Sequence, residues 1–216
     1  MKTIVSVNGS PRREWNTGTL VREAAEGARG EGAEIRHFDL YRLEKYTGCI
    51  SCFACKLAPN EGRCVCRDGL APVLEAIRNA DGLILGTPNY LGDISAGLRA
   101  LYERLIFQSL TYQTERRSYS DRKIPVLLIM TSNAPLAYYE PSGYMDRLRG
   151  YQETLGAFVG PTRLLIGDNT VQVEDYSRFR WTMFDPEAKK QHREEVFPEQ
   201  RKEAFALGAE MVSRPW

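Results

Sequence analysis

The sequence is poor in histidine, has almost no net charge and lacks long apolar runs. With only His37 and His192, histidine-rich metal chemistry is not expected. The 29 Lys and Arg residues balance 28 Asp and Glu residues, and a net charge of +1 favours neither a nucleic-acid-binding protein nor an acidic carrier. No run approaches the roughly 18 apolar residues of a membrane span. The apolar stretch ending at Val7 is also too short for a secretory signal. We therefore expect a cytoplasmic protein with no nucleic-acid or membrane partner.

The composition is that of an ordinary globular protein. Apolar residues make up 43% of the 216 residues and charged residues 26%, which is enough for one sizeable core. The chain has no internal repeat and no low-complexity linker. We therefore predict a single domain over residues 1–216.

Short apolar runs alternate with amphipathic segments along the chain. The predicted strands cover 3–7, 33–40, 83–86, 125–130 and 163–166. The predicted helices cover 17–28, 70–79, a segment capped by Ser95, 145–158, and a C-terminal helix over 187–213 that is interrupted near Pro198. Because parallel strands need a crossover, which is usually helical, this alternation predicts an α/β fold with a doubly wound, five-stranded parallel sheet.

The loop after the first predicted strand, residues 8–19, has the composition of a phosphate site. It combines small hydroxyl and amide side chains with Arg12, and it leads into a helix N-terminus. Free backbone N–H groups, the helix dipole and a guanidinium together solvate a phosphate. The loop lacks both the Gly-Lys-Ser/Thr of a Walker loop and the Gly-x-Gly-x-x-Gly turn of dinucleotide folds, so a mononucleotide phosphate fits it best. The alternative is a plain loop in which Asn16 or Thr17 caps the helix.

Two loops together resemble a known family. The motifs are Gly9-Ser10-Pro11-Arg12 with Asn16-Thr17, then Thr87-Pro88-Asn89-Tyr90 and the run from Ser95 to Leu101. In this order and separation they resemble the NADPH-dependent FMN reductases and iron–sulfur flavoproteins of the flavodoxin-like superfamily, over about residues 1–165. The resemblance implies a flavodoxin-like sheet in the order 2-1-3-4-5, with bound FMN.

The resemblance also implies which residues contact FMN. Those that hold the phosphate would be Ser10, Arg12, Asn16, Thr17 and Thr19. Those that line the isoalloxazine and the ribityl chain would be Pro88, Asn89, Tyr90, Leu91, Gly92 and Asp93. After the fourth strand, Asn133 could donate to a flavin carbonyl or serve only the turn. The flavin carries the chemistry, so we assign no catalytic side chain.

All five cysteines lie between Cys49 and Cys66, a clustering that does not suit a disulfide scaffold. The spacing Cys49-x2-Cys52-x2-Cys55 is typical of a [4Fe–4S] loop, with Cys64 or Cys66 as the fourth ligand. The resembling iron–sulfur flavoproteins also carry four cysteines after their second strand. A zinc site and a set of reduced thiols without metal are the alternatives.

The leading functional hypothesis is an FMN-dependent oxidoreductase that passes electrons from NAD(P)H to a quinone, a flavin, a metal complex or a protein. The alternative is a flavodoxin-type electron carrier, with or without a [4Fe–4S] cluster, that is reduced by ferredoxin. A third hypothesis, a regulatory or zinc-binding domain without flavin, requires both loops to be coincidental. Residues 168–186 carry four large aromatics that suit an interface. We therefore expect a homodimer or homotetramer to which this arm contributes.

Overall fold

The computed structural model describes residues 1–216 and contains a five-stranded, fully parallel sheet. The strands are β1 (Thr3–Asn8), β2 (Glu34–Asp39), β3 (Gly82–Pro88), β4 (Val126–Thr131) and β5 (Thr162–Gly167). Their order is β2-β1-β3-β4-β5, with parallel pairing throughout. The predicted fold class and strand order are confirmed.

Six α-helices connect and follow the strands. They are α1 (Asn16–Gly30), α2 (Ala71–Asn79), α3 (Ala96–Ser109), α4 (Tyr144–Phe158), α5 (Pro186–Glu195) and α6 (Phe197–Ser213). Ser95 caps α3 as predicted, since its side chain accepts from the Leu98 amide at 3.3 Å. The predicted C-terminal helix consists of two helices, α5 and α6. Pro198 lies in the first turn of α6, where its missing N–H breaks no helical hydrogen bond. Each helix is too short or too polar to cross a membrane.

Successive strand residues point to opposite faces of the sheet, and each face has its own core. Leu83 and Leu85 pack on the side that includes α2, α3 and α4, whereas Ile84 packs with α1 and α6. The α1–α6 crossing is very close. A Cβ atom on Gly27 would lie 1.9 Å from the Phe205 carbonyl oxygen, and one on Gly208 would lie 1.8 Å from the Ala24 carbonyl oxygen. These glycines therefore allow α6 to fix the position of α1.

The parallel register brings the carboxyl ends of the strands to one edge of the sheet. Asn8 pairs with Gly86, Pro88 with Thr131, and Thr131 with Gly167. The loops that follow these strands therefore leave side by side. In open α/β sheets, ligands bind at this edge, where the order of the strands reverses.

Candidate functional site

The N-terminus of α1 has free hydrogen-bond donors. Trp15 precedes the helix and its side chain makes no capping hydrogen bond. The amide N–H groups of Asn16, Thr17 and Gly18 have no acceptor in the chain, although all three residues are buried. Asn16 and Thr17 are the first helical residues, so neither caps the helix in the way the alternative hypothesis required. Buried free amides at a helix N-terminus form an anion site.

Small polar side chains surround these amides. The Ser10 hydroxyl accepts from the Arg12 amide at 3.1 Å, which holds the loop in a tight turn. The Thr17 hydroxyl lies 2.6 Å from that of Thr131 and so connects α1 to the end of β4. Thr19 lies further along the helix, and its amide already donates to the Trp15 carbonyl. Among the predicted phosphate ligands, the amides of Ser10, Arg12 and Thr19 are therefore already occupied, whereas those of Asn16 and Thr17 are free.

The start of the aromatic arm, residues 168–186, folds back onto this loop. Arg12 donates to the Gln172 carbonyl. The Val171 carbonyl accepts from the Asn16 side-chain amide at 2.8 Å and from the Trp15 indole at 3.1 Å. The four arm aromatics that follow contact one another rather than the sheet core. The contribution of the arm to an interface between subunits stays a prediction.

The loop after β3 forms a tight turn beside the first loop. The Tyr90 amide donates to the Asp93 carbonyl at 2.8 Å, and the Asn89 side chain accepts from the Gly92 amide at 2.7 Å. Leu91 and Gly92 have φ values of 56° and 82°, and Leu91 is 97% exposed. The turn therefore presents an apolar side chain to solvent.

The Asp93 carboxylate holds this turn on α4. It accepts from the Tyr151 hydroxyl at 2.5 Å and from the Ile94 amide at 2.7 Å. Burial, together with the neighbouring Asp93 charge, raises the pKa of Tyr151 to about 12. The carboxylate of Asp93 is thus engaged by α4 and by the next residue, and its backbone N–H and carbonyl are both paired with Tyr90.

Hydrogen bonds between loops join the two halves of the site. The Ser95 hydroxyl donates to the Gly9 carbonyl at 2.6 Å, and the Asn89 amide donates to the Thr131 carbonyl at 2.7 Å. Burial raises the pKa of Tyr90, while the charge of Arg12 opposes this rise, so the first and second loops also interact electrostatically. The structure therefore brings the predicted phosphate and isoalloxazine residues to one edge.

Buried polar atoms without partners concentrate at the same edge. The chain has six such side-chain atoms, and four of them belong to residues that follow β3, β4 or β5. These four are Asn89 Nδ2, Asn133 Oδ1, Tyr139 OH and Gln172 Oε1. Buried polar groups are normally hydrogen-bonded, so this set of donors and acceptors calls for a polar ligand. The rim of an isoalloxazine, which carries both carbonyls and ring nitrogens, fits it.

A second group of residues forms what we call the cysteine pocket. All five cysteines line it, together with Arg104 and Gln108 of α3 and the apolar side chains of Ile50, Phe53, Val65 and Phe107. The Cys49 amide donates to Glu103 at 3.3 Å, and the Cys64 amide donates to Gln108 at 3.0 Å. One face of α3 therefore holds the cysteine segment in place.

The arrangement of the thiols does not match a single metal ion. No three His, Cys, Asp or Glu side chains converge on one point. Four thiolates on one zinc would lie about 3.8 Å apart, because each Zn–S bond of a tetrahedral site is about 2.3 Å. Burial raises the pKa of Cys55, whose neighbouring thiols are Cys64 and Cys49. All five thiols line this one pocket, and cysteine thiolates are the ligands that hold iron–sulfur clusters.

The comparisons with known proteins agree with the fold and the two loops. The family model for NADPH-dependent FMN reductase matches residues 2–137. An iron–sulfur flavoprotein of Methanocaldococcus jannaschii is 41% identical over 101 residues, which is 47% of this chain and 50% of that protein. One from Methanosarcina thermophila is 32% identical over 103 residues, 48% of this chain and 52% of that protein. The chain spans about half the length of these curated relatives.

Solved structures with the same fold cover nearly the whole chain. An NAD(P)H:quinone oxidoreductase from Methanothermobacter marburgensis superposes with a TM-score of 0.72 at 16% identity, over 97% of this chain and 96% of that one. An FMN-dependent NADH-azoreductase from Bacillus anthracis, solved with FMN, gives 0.66 at 13% identity, over 98% and 100%. The chain belongs to the NADPH-dependent FMN reductase family.

Several residues of the two sites were not predicted. Lys189 of α5 donates to the Asn133 carbonyl and, at 2.5 Å, to the Asn169 side chain. Arg193 donates to the Asn16 side chain at 2.5 Å. No sequence pattern near α5 indicates either contact. Arg104 did leave a signal, because it occupies a core position in the apolar spacing of α3.

Proposed function

We propose that the chain binds FMN at the carboxyl edge of its sheet and transfers electrons from NAD(P)H to a quinone, a flavin, a metal complex or a protein acceptor. The observation that carries this proposal is the set of three buried, free amides at the N-terminus of α1. They lie beside Arg12 and next to loops that contain unpartnered polar atoms. A phosphate at one end and a polar ring at the other satisfy both groups.

The phosphate end is formed by α1 and the loop before it. The amides of Asn16, Thr17 and Gly18 donate to the phosphate, and the helix dipole favours its negative charge. Arg12 keeps four N–H donors after its bond to Gln172, so its guanidinium can contact the phosphate without leaving the arm. Ser10 adds a hydroxyl close to Arg12. Thr19 contributes through its hydroxyl, because its amide is occupied.

The ring end is formed by the turn after β3 and the loop after β4. Pro88, Asn89 and Tyr90 would line the ring, together with the positive-φ turn of Leu91 and Gly92. Asn89 Nδ2 and Asn133 Oδ1 are buried without partners, and we expect them to pair with the polar edge of the ring. Bound FMN supplies hydride acceptance and one-electron transfer. The protein orients the ring and limits water, and no side chain is assigned as a general acid or base.

Anaerobic reduction tests the use of NAD(P)H. We expect the yellow, FMN-loaded protein to bleach within seconds of adding NADPH or NADH. Rapid bleaching supports the reductase. Failure with both nucleotides, combined with ready reduction by a ferredoxin, would instead support the flavodoxin-type electron carrier. A protein that carries no flavin when purified and binds none when FMN is added would contradict both the reductase and the electron carrier.

The cysteine pocket favours a second electron-transfer centre. The five thiols line one pocket, and the curated relatives are called iron–sulfur flavoproteins. We propose that a [4Fe–4S] cluster is held by Cys49, Cys52, Cys55 and Cys64. The fourth ligand is Cys64 because it neighbours Cys55. The Cys66 thiol instead donates to Asp68 at 3.8 Å. Such a cluster supplies one-electron transfer.

Two matched variants test the ligand assignment. After anaerobic purification and reconstitution, we expect about four irons and four acid-labile sulfides per chain, the stoichiometry of a [4Fe–4S] centre. Cys64→Ser should lose most of this iron, whereas Cys66→Ser should retain it. The reverse pattern would move the fourth ligand to Cys66. Absence of both iron and sulfide from the wild-type protein would eliminate the cluster while leaving the FMN proposal intact.

A further inference from the structure

Arg104 is a buried charge at a position where α3 otherwise presents leucine. Leu98, Leu101 and Leu105 occupy the neighbouring core positions of the helix. The Arg104 side chain is only 1% exposed. A guanidinium is rarely buried unless it is fully paired, because removing it from water is costly. Its partners therefore indicate why the charge is there.

Most of the guanidinium is paired with the end of the cysteine segment. Nη1 donates to both carboxylate oxygens of Asp68, at 2.6 and 2.7 Å. Nη2 donates to the Cys66 carbonyl at 3.0 Å. The Nε atom is buried and has no partner. Arg104 lines the cysteine pocket, so this unused donor belongs to a residue that forms its wall.

Cys64 is a proposed cluster ligand beside α3, the helix that carries Arg104. Arg104 and Cys64 both line the cysteine pocket, and Nε of Arg104 is buried there without a partner. Gln108 holds the Cys64 backbone from one turn further along the same helix. One helix face thus supplies both a backbone anchor and a charged side chain at Cys64.

We propose that Arg104 is a positioning residue for the cluster, with its Nε–H donating to the sulfur of Cys64 and its positive charge favouring the reduced cluster. The inference rests on the cluster proposed above. Reduction adds one negative charge to the cluster and its thiolates. Hydrogen bonds to the sulfurs and nearby positive charge stabilise that added charge, so they raise the reduction potential.

Asp68 must act in the opposite direction from Arg104. Its carboxylate places a negative charge beside the same pocket and disfavours reduction of the cluster. Removing Arg104's charge should therefore lower the potential, and removing Asp68's charge should raise it. Nonspecific damage to the pocket gives no reason for shifts of opposite sign. The sign of the two shifts is thus a readout that a merely structural role does not produce.

The test is a potentiometric titration of the anaerobically reconstituted protein, followed by the paramagnetic signal of the reduced cluster. At a fixed ambient potential, Arg104→Gln should lower the ratio of reduced to oxidised cluster at least tenfold, about 59 mV for a one-electron couple. Asp68→Asn should raise it. Arg63→Gln is the control, because Arg63 lies next to Cys64 in sequence but is 56% exposed and pairs with Glu75. It should change the ratio less than twofold.

The outcomes separate this inference from the cluster itself. Unchanged potentials in both variants, or shifts in the same direction, would overturn the role of Arg104 while the cluster stands. A wild-type protein without iron and sulfide would overturn both. If Arg104→Gln fails to fold, as judged by loss of bound FMN, the reduction potential of Asp68→Asn becomes the test of the inference. A more positive potential then supports the inference, and an unchanged one overturns it.

Discussion

Replacing Arg12 with alanine should weaken FMN binding through the phosphate alone. Arg12 uses one donor on the Gln172 carbonyl and has four left. A hydrogen bond to a charged group contributes about 1.5–3 kcal/mol. The dissociation constant should therefore rise about 10- to 150-fold. Lysine at this position should recover only part of the loss, because it cannot form a bidentate contact.

Quenching of flavin fluorescence during titration of the apo-protein measures the effect. Arg13→Ala is the matched control, because Arg13 is the next residue and pairs with Asp39 at 2.9 Å. It should change affinity only slightly. Riboflavin, which lacks the phosphate, should bind Arg12→Ala and wild type equally. An equal loss for riboflavin and FMN would refute the reasoning, since Arg12 would then act through the arm and not through the phosphate.

Three further predictions concern stability, pH and assembly. Gly208→Ala should destabilise the fold by about 1–3 kcal/mol in urea unfolding, because its Cβ would meet the Ala24 backbone. Gly150→Ala has open space around its Cβ and should stabilise the fold by roughly 0.5–1 kcal/mol. Equal effects of the two variants would contradict the close crossing of α1 and α6. Burial lowers the pKa of Lys189 to about 8, below its unfolded value, so the unfolded state binds more protons between pH 8 and 10.5. Wild type should therefore gain stability relative to Lys189→Met across that range, and a difference independent of pH would show that Lys189 does not titrate there. Light scattering at micromolar concentration should give a dimer or tetramer built partly on residues 168–186, and a mass near 24.5 kDa would contradict this.

The order of strands and helices along the chain was predictable, because the pattern of apolar residues indicates which segments are buried. The strands 83–86 and 125–130 are continuous apolar runs, as expected for strands covered on both faces, and each lies within a residue or two of the observed β3 and β4. The division between α5 and α6 followed from Pro198. The Gly27 and Gly208 crossing was not predictable, since it joins residues far apart in the sequence.

The candidate site was only partly readable from the sequence. Local motifs identified the loops after β1 and β3, and the parallel topology explains why they meet. The contacts of Val171, Lys189 and Arg193 depend on how the arm and α5 fold back, and no local pattern specifies that path. The roles of the individual residues in binding FMN remain predictions.

The close packing of α1 against α6 has a consequence for how the protein is made. The phosphate loop is synthesised before α1, whereas α6, which fixes α1, follows all five strands in the sequence. At roughly 5–20 residues per second, the intervening chain takes on the order of ten seconds to synthesise. During that interval the apolar face of α1, with Leu20, Val21 and Ala24, has no partner helix. We therefore expect FMN to bind only after α6 has been synthesised and has packed on α1.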